Sequence, residues 1–152
     1  MKASDLRIGN WVKIKEEFSE RDIPLETLEF QIEGFNDGSK RYEEGAKQIL
    51  FWSIKNKVFG TTTSGSYDIE CEPILLTEEW LLKFGFNTTQ WDNFNSHRLM
   101  IGNNDYTIVI YSDGNCEIGD VVTCKIKYVH QLQNLYFALT GEELIKEENE
   151  SN

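Results

Sequence analysis

The chain has 152 residues, 26 acidic and 15 basic side chains, a net charge of −11, 39% apolar residues, four Trp, six Tyr and nine Phe. So much aromatic content excludes a disordered polymer. The acidity argues against direct binding to nucleic acid or an anionic membrane, since phosphate contacts need basic surface. Residues 1–10 lack the apolar core of a signal peptide, and no run approaches the roughly 18 apolar residues of a membrane-spanning helix. The expectation is a cytoplasmic protein of one domain or two very small ones.

In chain order, Gly9-Asn10 precedes Trp11-Val12-Lys13-Ile14, where Val12 and Ile14 share a face. A glycine there lets the backbone turn sharply into a strand, and SH3-like barrels open in this way. Residues 15–27 read as a loop. Leu28, Phe30 and Ile32 alternate with Glu29, Gln31 and Glu33, the period of a half-buried strand. Asn36 to Ser39 is a turn, and residues 40–47 are a charged loop or helical turn. Gln48 to Ile54 is apolar on both faces and reads as a central strand or a short buried helix, its length favouring the strand. Val58-Phe59 and the Tyr67 to Cys71 alternation come next, the latter presenting Asp68, Glu70 and Glu72 on an acidic outer face before Pro73 ends it. Residues 1–72 therefore predict a five-stranded, mostly antiparallel β unit, with an SH3-like barrel as one form it takes.

Thr77 is placed to cap a helix that carries Glu78 and Glu79 in its first turn and an inward stripe of Trp80, Leu81 and Phe84, with Gly85 as its stop. Residues 86–98 mix aromatics with amides and read as a surface strand or loop, or as a ligand-contacting segment through Trp91 and Phe94. Leu99 to Ile101, Tyr106 to Tyr111, Cys116 to Ile118 and Val121 to Lys127 are strands joined by Asn/Asp/Gly turns. Val129, Leu132, Leu135, Tyr136 and Leu139 then repeat at helical period, with His130, Gln131, Gln133 and Asn134 on the other side and Thr140-Gly141 as the stop. The class is α+β: the β unit, then helix, three- or four-stranded antiparallel meander and C-terminal helix over 73–144 sharing one core with it, then a flexible acidic tail over 145–152.

Catalytic signatures are thin. His97 reads as a loop residue and His130 as a solvated one, and neither has a partner at metal-ligand spacing. Cys71, Cys116 and Cys124 lack CxxC spacing and read as small buried hydrophobes in a reducing compartment. Cys116 and Cys124 bracket a hairpin and approach one another in space, yet a zinc site built from them with Cys71 and a histidine is not expected. No P-loop, nucleophile elbow or dinucleotide fingerprint occurs, so no cofactor is expected and the chain reads as a non-enzyme.

Leu6-Arg7-Ile8-Gly9-Asn10-Trp11-Val12, Pro73 to Phe86 and above all Lys127 to Leu144 (KYVHQLQNLYFALTGEEL) resemble a family of small proteins of unknown activity. These are encoded by gut Bacteroides-type bacteria and their prophages and mobile elements. The resemblance implies an intracellular protein and makes the polar side of the last helix, with His130, Gln131, Gln133 and Asn134, a candidate partner surface. Trp91 and the acidic Asp68, Glu70 and Glu72 are further candidates. The expected function is a binding or adaptor module with a protein partner; the alternative is an acidic decoy that occupies a basic host protein, and a third reading is a small-molecule-binding protein or enzyme using the Trp91 to His97 segment.

Overall fold

The computed structural model describes residues 5–15, 29–36, 48–53, 58–61, 71–91, 94–101, 106–119 and 121–147. The chain divides into two compact units, Met1–Ile74 and Leu75–Asn152. Among the described residues, two antiparallel sheets and two helices make the class α+β.

In the first unit, β1 (Trp11–Ile14), β2 (Glu29–Asn36), β3 (Gln48–Ser53), β4 (Val58–Thr61) and β5 (Cys71–Glu72) form one sheet in the order β4-β3-β2-β1-β5. Every pairing is antiparallel. Val12 lies opposite Phe30, and Ile14 opposite Cys71. With Leu6 and Ile32 these side chains form a buried cluster on one face, which is what the alternation predicts. Gly9 adopts the positive φ of 89° needed for the entry corner. Its N–H donates to the Ile32 carbonyl at 2.7 Å, while the buried Asn10 Oδ1 accepts from the Arg7 N–H at 2.8 Å. An SH3-like barrel is not closed, because β4 and β5 lie at opposite edges of the sheet.

In the second unit, α1 (Glu78–Lys83) starts at Thr77, whose hydroxyl accepts from the Trp80 N–H. It ends in a paired cap: Gly85 N–H donates to the Leu82 carbonyl and Phe86 N–H to the Leu81 carbonyl, each at 3.0 Å, the Schellman arrangement that a glycine at positive φ permits. β6 (Asn87–Trp91), β7 (Phe94–Ile101), β8 (Tyr106–Tyr111), β9 (Asn115–Ile118) and β10 (Val121–Lys125) then form a sequential antiparallel meander. It has five strands rather than three or four, because residues 86–98 pair in register, Asn87 opposite Arg98 through Trp91 opposite Phe94. Leu99, Ile101, Ile108, Ile110 and Cys116 share its inner face through strand alternation and register.

The last helix, α2 (Val129–Thr140), ends at Gly141 with φ 74°, as expected. Beyond this stop the chain packs back onto the unit through residue 147, where the sequence predicts a frayed tail from Ile145 onward; residues 148–152 of that tail lie outside the described residues. Leu144 is buried and its carbonyl accepts from the Gln133 side chain at 3.5 Å. Lys146 Nζ sits 4.1 Å from the centre of the Trp80 ring, and the Glu147 N–H donates to the Lys83 carbonyl at 2.7 Å. An acidic composition hides this strap, since one leucine and one lysine do the docking. Replacing a fully packed leucine with alanine costs about 2–5 kcal/mol, so Leu144→Ala should lower the urea midpoint markedly. A change within about 0.5 kcal/mol, the ordinary value for a surface site, would mean that the strap does not pack.

Candidate interaction surface

The first turns of α2 carry the polar residues that sequence singles out, and the structure gives each a place. Val129, Leu132 and Gln133 stand at i, i+3 and i+4, and all three are fully buried. The inward face is thus turned toward Gln133 and away from Leu139, which is 43% exposed. This corrects the expectation that Gln133 and His130 face solvent. Gln133 is interior because its amide meets the returning strap at Leu144, and His130, 4% exposed, stacks at 5.8 Å and 9° on Tyr128. Gln131 turns back over the helix start, where its Oε1 accepts from the N–H groups of Lys127 and Tyr128 at 2.9 and 3.1 Å. Helix starts leave such donors without intrahelical partners, and this side chain supplies one. Asn134 is half-buried. Only Gln131 and Asn134 of the four candidates keep substantial access to solvent.

The surface that α2 does present is apolar and lies in its second half. Phe137, Ala138 and Leu139 are exposed, followed by exposed Glu142 and Glu143. On the strap Ile145 is 67% exposed, and on α1 Leu82 is 50% exposed. Strap and α1 are joined by the Glu147 to Lys83 hydrogen bond, next to the ion pair of Lys83 Nζ with Glu79 Oε1 at 2.6 Å. That pair holds the Glu79 carboxyl below its ordinary range, through the Lys83 hydrogen bond and charge, with Lys146 adding to it. The stabilisation is present above the ordinary carboxylate range and is lost as pH falls through the depressed value. Isolated exposed apolar residues are ordinary; those on α1, the second half of α2 and the strap are candidates that sequence analysis missed. Their signal on α2 was the run Phe137-Ala138-Leu139, too wide for a single inward stripe.

The remaining candidates are scattered. Glu72 pairs with Lys13 at 3.2 Å across β5 and β1, while Asp68 and Glu70 lie outside the described residues. Trp91 sits at the end of β6 opposite Phe94. His97 is not a loop residue: it is buried in β7, with Nδ1 3.2 Å from the Thr88 hydroxyl on β6. Cys71 and Cys116 are buried as expected, but Cys124 is exposed on the edge strand β10. Among the described residues no three His, Cys, Asp or Glu side chains are grouped to hold a metal ion, and no helix is long and apolar enough to cross a membrane.

Across the sheet's other face, the Tyr111 hydroxyl donates to Glu117 Oε2 at 2.8 Å. This bond, with burial and the Glu117 charge, raises the Tyr111 pKa, opposed by Arg98. Neither a family model, nor a curated protein, nor a solved structure matches the chain.

Gln131→Ala should destabilise the protein by about 1 kcal/mol, the worth of a helix cap, read from denaturant unfolding. Because the folded-state pKa of Tyr111 is raised, its contribution is complete below the ordinary tyrosine value and lost as pH climbs through the raised one. In an ultraviolet-monitored alkaline titration, Glu117→Gln should bring the step assigned to Tyr111 to lower pH. An unchanged titration curve would remove the assignment.

Proposed function

We propose that this chain is a cytoplasmic, non-enzymatic adaptor from a phage or mobile-element context, which binds a protein partner through the apolar surface of its second unit. The observation that carries the reading is the exposure of Phe137, Leu139, Ile145 and Leu82 on α2, the strap and α1, beside the acidic Glu142 and Glu143. Apolar surface rimmed by charge is the usual make-up of a protein–protein contact. The C-terminal signature that suggests the mobile-element context contains Phe137, Leu139, Glu142 and Glu143. Two polar residues of the same signature serve the fold, since Gln131 caps α2 and Gln133 meets the strap.

The decoy reading draws on the net charge of −11, but Glu72, the described member of its acidic strand face, is engaged by Lys13. Salt separates the two readings. A phosphate mimic loses affinity steeply as salt rises, whereas an apolar contact does not.

Affinity capture from the native host, with the full chain as bait during growth and during phage infection, should recover one stoichiometric partner that is retained at high salt. Leu139→Glu, checked for native circular dichroism, should lose that partner. Capture of nothing under any of these conditions, or equal capture by Leu139→Glu, would overturn the adaptor reading at this surface.

A further inference from the structure

The β9–β10 hairpin sets two thiols against each other. Cys116 and Cys124 are register partners across this antiparallel pair, and directly opposed residues hold their Cα atoms about 4.5–5.5 Å apart. A disulfide spans Cα separations of about 4.4–6.8 Å, a range that includes an opposed antiparallel pair. The two surroundings are unlike. Cys116 is completely buried, and its Sγ lies 4.0 Å from the Glu117 carbonyl. Cys124 is exposed, on the outermost strand of the sheet and just past the register shift after Val122. One cysteine is exposed while its register partner is buried, the division of labour between an attacking and a resolving cysteine. Cys71 belongs to the first unit and is buried there.

We propose that Cys116 and Cys124 form a reversible oxidation site whose co-substrate is a hydroperoxide. The Cys124 thiolate attacks the terminal peroxide oxygen, the O–O bond breaks, and the leaving alkoxide or hydroxide takes up a proton; Cys124 becomes a sulfenic acid. The Cys116 sulfur then attacks the Cys124 sulfur, the S–S bond forms, and the sulfenic hydroxyl leaves as water with the proton from Cys116. Two thiols have lost two electrons and two protons, and the peroxide has been reduced to alcohol or water plus water. A low-molecular-weight thiol reverses the bond by exchange. A disulfide made and broken in this way is the kind that a reducing compartment accommodates. Its effect is local: the bond ties the edge strand β10 to β9 and fixes the register at the irregularity, on the rim where a sheet is open to further strand pairing.

The test is to treat the reduced full chain with stoichiometric hydrogen peroxide, block remaining thiols, and map the products by mass spectrometry after cleavage at Glu117, which separates the two cysteines. A Cys116–Cys124 cross-link lighter by two hydrogens and reversed by dithiothreitol is expected. It should be unaffected in Cys71→Ser and absent in Cys124→Ser. Cys116→Ser should accumulate a dimedone-reactive sulfenic acid at Cys124. Should that variant fail to fold, the wild-type map decides alone. Cys124 recovered over-oxidised, unreacted or bridged between chains, with Cys116 still a thiol, would overturn the proposal.

Discussion

Helix ends impose the constraint on which the second unit depends. A helix leaves donors at its start and carbonyls at its end that have no partner inside it, and these must be met by something nearby. At the start of α2 the Gln131 side chain accepts from two consecutive backbone N–H groups. At the end of α1 the Lys83 carbonyl is met by the N–H of Glu147, far along the chain. Leu144 supplies the burial and Lys146 the contact with Trp80 that hold the strap in place for that bond. The Leu76 N–H also donates to the Lys127 carbonyl at 2.9 Å, tying the approach to α1 to the approach to α2.

The same logic governs the buried polar residues. Asn10, His97 and Gln133 are interior, and burying a polar group is tolerable only when hydrogen bonds replace those it made to water. Asn10 closes the corner into β1 through Arg7, His97 bridges to Thr88 on the neighbouring strand, and Gln133 meets Leu144. Gln133, a polar side chain that looked available for a partner, is therefore spent on the fold. A binding site and a folding signature overlap in sequence here, but they use different residues.

Much of the architecture was legible because local rules agree with the tertiary outcome. Thr77, Glu78 and Gly85 mark α1, Gly141 ends α2, and the alternation at Phe30 and Ile32 identifies the buried side of β2. Residues 86–98 read as either surface strand or loop because a strand pair rich in amides and hydroxyls has no apolar alternation to decide it. The face of α2 was misjudged for a related reason: hydropathy places Gln133 outside, whereas the strap that bonds it comes from outside the helical window. Leu144 to Glu147 was unreadable as structure because its partners, Gln133, Trp80 and Lys83, lie outside its own stretch of sequence. Cys124 departs from the expected burial because β10 is the edge of the sheet, a position that the order of strands sets and composition does not.

The central claim is that the strap completes the second unit by capping α1. Amide hydrogen exchange at Glu147 tests it most directly, because that N–H is the donor to the Lys83 carbonyl. The expected result is protection comparable to that of the Phe86 amide, which caps the same helix, with both falling together in Leu144→Ala. Exchange at Glu147 as fast as in an unstructured peptide, with Phe86 still protected, would contradict it.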